Sequence, residues 1–266
     1  MDANRVNLRE AFNRHAVTYD ERFSSLKTTQ AIRQEIWQVA DKLFPSGARI
    51  LDLGCGTGED AIHFARQGAR VTAIDIAPGM IAQLRAKADA LGLSAHIESK
   101  VSDIETFEPE LGAFDAVFSN FGAVNCVRSL PTFRDVVAKA LKPGAPLVVV
   151  AMGRLYPLET VVYFLKGNMR RALARLKPQP ELMLEGIRIS FWYHSPRNLR
   201  TALDARFSQQ QLIGLRSFAP SSSLEHVERF LPVGLIRALD RFATSFRPTA
   251  ALADHYLTVW RAKGEL

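Results

Sequence analysis

Cysteine is scarce in this chain: two residues, Cys55 and Cys126, in 266. Their spacing fits neither a zinc site nor a disulfide framework. A reducing, cytoplasmic setting with no bound metal is therefore the starting expectation. Long hydrophobic runs are also missing; none approaches the ~20 apolar residues that span a bilayer. Met1-Asp2-Ala3-Asn4-Arg5 lacks the apolar stretch of a signal peptide. There is no internal repeat and no low-complexity tract, which argues against a solenoid. Acidic residues run short in one part only. Residues 1–150 hold 17 Lys+Arg against 18 Asp+Glu, a net −1, whereas residues 151–266 hold 17 against 9, a net +8. The basic excess suits an anionic substrate, an anionic membrane surface, an acidic carrier protein or an ordinary solvated face.

What is present points to a packed domain, since 47% of the residues are hydrophobic. The first 45 residues or so read as helical, with Ile32, Ile36, Val39 and Leu43 at helical spacing. Strands and helices then alternate. Strands are expected near 49–53, 70–75, 95–101, 114–120 and 147–151, and helices over 58–67, 78–91 and 130–141. That order implies a doubly wound, mostly parallel α/β sheet, with its ligand beyond the carboxyl ends of the strands. Asp52, Asp75, Asp103 and Asn120 all fall at or near strand ends. Further strands are expected at 187–193, 210–218 and 255–261, with a helix from Ser195-Pro196 to about 205 and helical structure over 222–246.

The most informative stretch is Ile50-Leu51-Asp52-Leu53-Gly54-Cys55-Gly56-Thr57-Gly58. It reads as a buried strand running into a glycine-rich turn and a helix. Glycines at alternate positions leave main chain on which a ligand can lie directly. The spacing is G-x-G-x-G, and Glu59 and Asp60 follow it, so a pyrophosphate is disfavoured and a phosphate-free nucleoside suits the turn. Asp75, closing Val71-Thr72-Ala73-Ile74-Asp75, can accept both hydroxyls of a ribose.

On these residues, together with Val101-Ser102-Asp103-Ile104, Phe114 to Asn120 and Leu141-Lys142-Pro143-Gly144 before the fifth strand, the chain resembles the class I S-adenosylmethionine-dependent methyltransferases. Phe12, Ala16, Tyr19 and Asp20 further match the F-x-x-x-A-x-x-Y-D entry segment of the quinone-pathway, small-molecule branch. The resemblance implies a seven-stranded Rossmann-like sheet with an antiparallel edge strand and a helical lid insertion. It divides one domain over 1–266 into an N-terminal helical cap (1–45), a cofactor-binding core (46–151), a lid (152–185) and a substrate-side part completing the sheet (186–266). It implies S-adenosylmethionine as cofactor. Tyr19 would close over its carboxylate end, and Gly54, Cys55, Gly56 and Gly58 would lie along its amino acid and ribose edge. Asp52 would balance positive charge, Asp75 would take the ribose, and Ile76 and Met80 would pack on the adenine. Asp103 and Ile104 would meet the adenine amino edge, and Asn120 would stand near the donor methyl.

For the acceptor, Phe121 and Gly122 suggest a wall and a gap. Asn125 either reaches the acceptor or caps the following loop. Because Asn120 is followed by Phe121 and Gly122 rather than two prolines, methylation of a base amine is disfavoured. Tyr156 joins His15, His194, His226, His255 and Tyr193 as possible bases, none in an assignable motif, so no catalytic residue is assigned; His63 reads as structural.

Residues 158–177, placed on one helix, put Leu158, Val161, Val162, Leu165, Met169, Ala172, Leu173 and Leu176 on one face, flanked by Lys166, Arg170, Arg171, Arg175 and Lys177. Such a helix is either a lid or a peripheral element on an anionic membrane. The expected reaction is methyl transfer to a small, apolar or amphiphilic metabolite. An RNA- or protein-directed enzyme using the basic C-terminal half is an alternative, although nucleic acid is disfavoured because few aromatics interleave the cations. A non-catalytic, cofactor-sensing module is a third reading.

Overall fold

In the computed structural model, residues 2–177, 180–216 and 247–264 are described. The expected helices over 222–246, His226 and the last residues of the 210–218 strand lie outside them. Five parallel strands alternate with helices: β1 (Arg49–Leu53), β2 (Arg70–Asp75), β3 (Ile97–Val101), β4 (Ala116–Ser119) and β5 (Pro146–Met152). With β8 (Phe207–Leu215) and β9 (His255–Ala262) they form one seven-stranded sheet in the order β3-β2-β1-β4-β5-β9-β8. The antiparallel strand β9 lies between β5 and β8, one place in from the edge.

Strand alternation sends neighbouring side chains to opposite faces, which explains why β1 carries apolar residues toward both, Ile50 on one and Leu51 and Leu53 on the other. Ile50 packs with Phe64, Val71, Phe118 and Ile36 on one face. Leu51 packs with Val117, Phe133, Val149 and Trp260 on the other. Three helices cover the parallel strands: α3 (Glu59–Arg66), α4 (Pro78–Ala90) and α5 (Leu130–Ala140). Their starts follow local chemistry. Pro78 occupies the first turn of α4, and the Ser129 hydroxyl caps α5 by accepting the Thr132 N–H. Ser195 caps α8 (Pro196–Leu203) in the same way.

The N-terminal helical segment has three parts: α1 (Ala3–Tyr19), a π-helical turn (Asp20–Ser24) and α2 (Lys27–Ala40). The turn is pinned at its first residue, where Asp20 accepts from the Thr57 hydroxyl and from Lys87. A π turn at that place re-aims the chain over the glycine loop.

The single amphipathic helix expected over 158–177 does not form. The segment is α6 (Pro157–Leu165), α7 (Met169–Ala172) and a short 3₁₀ turn. Gly167, at φ +68°, stops α6, and the Asn168 side chain starts α7 by accepting the Arg171 N–H. The common apolar face is thereby broken: Tyr163 and Ala172 pack together, while Phe164 (59%) and Leu165 (78%) face outward. Arg175 is not a surface cation either. It pairs with Glu159 and Asp254 and lies 5.2 and 5.1 Å from the ring centroids of Tyr156 and Tyr193. Nor is the stretch helical to residue 185. Strands β6 (Glu181–Leu184) and β7 (Ile187–Ser190) form a hairpin that packs on α1, with Asn4 bonded to both the N–H and the carbonyl of Ser190. None of the described helices is long and apolar enough to cross a membrane.

Asp254 is wholly buried. Burial is the largest influence on its carboxyl and works upward, but His255 and Arg175 outweigh it and hold the group well below the ordinary carboxylate range. Removing one partner of such a pair strands a charge. Arg175→Met is expected to cost about 3–5 kcal/mol in chemical denaturation, against almost no change for Arg170→Met, whose side chain is exposed.

Candidate functional site

A cavity of about 480 Å³ lies where the strand order reverses between β1 and β4. Residues just past the carboxyl ends of all five parallel strands line it: Gly54, Ile76, Asp103, Asn120 and, from β5 itself, Met152. Of the sequence-expected residues, Tyr19, Gly54, Cys55, Gly56, Asp75, Ile76, Met80, Asp103, Ile104, Asn120, Phe121 and Gly122 also face this one space.

The glycine turn is built by two bonds to one carbonyl. The N–H groups of Gly54 and Cys55 both donate to Ile74 O at 2.9 Å, and Gly54, Gly56 and Gly58 all take positive φ. The Asp75 carboxylate braces the turn from β2. It accepts the Gly56 N–H at 3.0 Å on one oxygen and the Ala77 N–H at 2.9 Å on the other. Burial pushes this carboxyl up to about 6, with the two N–H groups pulling in the opposite sense. Tyr19 lies over the turn, its ring 3.8 Å from where a Gly56 Cβ would stand. Phe23 follows at 5.3 Å between centroids and Phe121 at 5.1 Å from Phe23, which gives the cavity an aromatic wall.

Beside this wall is a buried ionic cluster that sequence reading missed. Arg33 of α2 pairs with Asp60 of α3 at 2.8 Å, and both line the cavity. Asp60 also accepts from Trp37 Nε1 at 2.8 Å and Asn120 Nδ2 at 3.0 Å. The Arg33 guanidinium lies 4.8 Å from the centroid of Phe121, and its Nε is buried without a partner. The signal for Arg33 was its position three residues before Ile36, on the buried side of α2. The same cluster fixes Asn120, whose amide oxygen accepts the Phe121 N–H at 2.7 Å. Arg5 was missed as well; it bonds Asp103 at 2.9 Å and Glu105 at 3.0 Å. Asp103 therefore meets the cavity already engaged, with Arg5 on one oxygen and the Glu105 N–H on the other.

Four expected residues lie off the cavity lining. Asp52 is buried behind the turn with one oxygen unpartnered. Burial and then the neighbouring Asp60 raise its carboxyl well above the usual range, which works against the ionised form that charge balance requires. Gly58 is a packing glycine, since a Cβ there would lie 2.0 Å from a Leu84 methyl. Asn125 is wholly buried, donating to the carbonyls of Met152 and Trp192 and accepting the Met152 N–H. Tyr156 is buried against Arg175. His63 is structural, stacked on Trp37 at 3.8 Å and bonded to Asp41. Burial pushes the Cys126 thiol up to about 12 and the Cys55 thiol well above its ordinary value, so neither thiol ionises at neutral pH.

Residues 50–144 match a family described as a methyltransferase domain. That match covers 95 of the chain's 266 residues, the segment from β1 to the turn before β5. The chain is 35% identical over 123 residues to a ubiquinone biosynthesis O-methyltransferase of Xanthomonas axonopodis pv. citri (strain 306), an alignment covering 44% of this chain and 48% of that protein. A protein of the same description from Methylocella silvestris is 38% identical over 108 residues, 41% of each chain. The alignments thus span less than half the length of these relatives. Among solved structures, the geranyl diphosphate C-methyltransferase of Streptomyces coelicolor A3(2) superposes with a TM-score of 0.58 at 17% identity, over 88% of this chain and 80% of that one. This last likeness is one of fold.

The position of Gly58 gives a direct check on the turn. Gly58→Ala meets both a left-handed backbone and the Leu84 side chain, and is expected to cost about 2–4 kcal/mol of folding stability. Pairing it with Leu84→Ala should recover part of the loss in a denaturation cycle.

Proposed function

We propose that the protein transfers the methyl group of S-adenosylmethionine to a small acceptor with an apolar or amphiphilic body. The observation that carries this reading is the convergence, in one cavity, of main chain at Gly56, the Asp75 carboxylate and the Arg33 side chain. These match the three polar parts of the cofactor. Asp75 would accept the ribose hydroxyls on the lone pairs its two N–H bonds leave free. Arg33, whose side chain lines the same cavity, would hold the amino acid carboxylate by a charge-assisted contact. Ile76, Met80 and Ile104 would enclose the adenine. The acids Glu59, Asp60, Asp75 and Asp103 around the same space disfavour a phosphate and favour a ligand with a cationic centre.

When bound, the cofactor supplies a methyl group on a sulfonium, a carbon already activated for displacement. The chain's own part is to align the acceptor and exclude water, which can provide most of the acceleration. Tyr19, Phe23 and Phe121 shield the centre, and their ring faces favour a cation. The acceptor side is apolar: Leu8 and Phe12 of α1, Leu182 and Ile189 of the hairpin and Phe191 line it. The names of the ubiquinone-biosynthesis relative and of the geranyl diphosphate neighbour support an acceptor with a hydrocarbon part.

The ionisation of Asp75 sets a pH test. Ribose recognition needs the carboxylate, and in the free protein the group takes up a proton as pH falls through about 6. Binding of S-adenosylhomocysteine, followed by titration calorimetry, is expected to weaken about tenfold at one pH unit below that value. Asp75→Ala should lose about 1.5–3 kcal/mol of binding at neutral pH and most of this pH dependence. An affinity indifferent to both changes would remove the ribose assignment.

A further inference from the structure

His15 of α1 and Glu185 of the β6–β7 turn meet beside the cavity, with Nδ1 2.9 Å from the carboxylate oxygen. His15 lines the cavity, and among the described residues its Nε2 has no hydrogen-bond partner. The other described histidines differ. His255 is paired to Asp254 at 3.1 Å, but it lies off the lining. His194 is buried off the lining, His63 is stacked on Trp37, and His96 is exposed just before β3, also off the lining.

The hairpin turn adds a second observation. Glu185 and Gly186 take φ of +49° and +77°, the pattern of a two-residue turn with both central residues left-handed. Asn, Asp or Gly suits the first of these positions; a glutamate is strained there. The residue at the strained position is the one whose carboxylate reaches His15.

We propose that His15 is the general base that takes the proton from a weakly acidic hydroxyl of the acceptor, a phenol or an enol, with Glu185 as its positioning residue. This rests on the methyl-transfer reading above and narrows it to transfer onto oxygen. The carboxylate accepts the Nδ1–H, which fixes the tautomer and leaves the Nε2 lone pair available. As the acceptor oxygen bonds to the methyl carbon, its proton passes to Nε2 and the carbon–sulfur pair stays on sulfur. The products are a methyl ether, a neutral thioether and an imidazolium, so the single positive charge is conserved. Glu185 then faces that imidazolium. The other charged or titratable groups around the ring are Arg22, which shares Glu185 at 3.3 Å, and Tyr19, whose ring centroid is 5.4 Å away. The apolar lining at Leu8, Phe12 and Leu184 accommodates an aromatic body.

A chromophoric probe reads the proton step without cofactor. Titrating wild-type protein into 4-hexyl-2-nitrophenol, one pH unit below the probe's own ionisation, should raise its phenolate absorbance. His15→Gln should abolish the rise, and Glu185→Gln should cut it severalfold. With 4-hexylcatechol and methyl-labelled cofactor, His15→Gln should lower kcat about 100-fold, remove the acid limb of the pH profile and leave the cofactor KM unchanged. Glu185→Asn supplies the residue the turn prefers. It should keep or raise the melting temperature while lowering kcat about tenfold, whereas a purely structural Glu185 would leave kcat unchanged. No phenolate rise with wild type, or an equal rise or equal kcat with His15→Gln, overturns the base assignment. Failure of the wild-type protein to bind S-adenosylhomocysteine would instead overturn the methyl-transfer reading, a result the cofactor-free phenolate signal does not affect.

Discussion

The Asp75 carboxylate is the brace on which the site depends. It joins the end of β2 to the turn after β1 through the N–H groups of Gly56 and Ala77. Three glycines at positive φ have little of their own to hold one conformation. Bonds to Ile74 O below and Asp75 beside them supply that constraint. Ala123 packs against Gly54 and Leu84 against Gly58, so the main chain at Gly56, with Tyr19 over it, is the part of the turn with room beside it. Partial burial of this carboxyl costs desolvation energy, visible in its raised pKa, and only part of its hydrogen-bonding capacity is used within the protein. A half-buried, partly satisfied acceptor at a strand end is what a ligand hydroxyl completes.

A second constraint comes from charge kept out of water. Arg33 and Asp60 tie α2 to α3, while Trp37 and Asn120 bond the same carboxylate and so connect α2 to the end of β4. A buried pair of this kind is weak evidence for stability, since hydrophobic residues can often replace it at no loss. Its effect here is positional. It holds Phe121, at φ +45°, beneath the guanidinium, and turns one guanidinium nitrogen toward no protein acceptor. Lys87, bonded to Asp20 and Glu59, secures the π turn that carries Tyr19 across the glycines. Helices outside the sheet are thus attached to it by charge, and they form part of the cavity wall.

The sheet was legible because β1, β4 and β5 are built mainly of apolar residues and the elements are separated by turn signals such as Gly92 and Pro143-Gly144. The strand-end residues followed from that framework. Packing roles did not. Gly58 and Asn125 carry the same letters whether they meet a ligand, Leu84 or the backbone of Met152, and only the tertiary contacts separate these cases. The broken helix at 158–177 was misread for a different reason. Its apolar spacing continues straight through the local stop at Gly167-Asn168, which the backbone obeys. Arg33 and Arg175 look alike as surface cations in a sequence, yet both are buried by partners distant along the chain, Asp60 and Asp254. The His15–Glu185 pair, 170 residues apart, was out of reach for the same reason.

On the proposed function, a phosphate-free adenosyl group rests on the main chain at Gly56, braced by Asp75. Amide hydrogen exchange measures that contact most directly. With saturating S-adenosylhomocysteine, the amides of residues 54–57 and 75–77 should slow strongly, while equal concentrations of NAD leave them unchanged. Exchange in these two segments that is unaffected by S-adenosylhomocysteine, or slowed equally by NAD, would contradict the account.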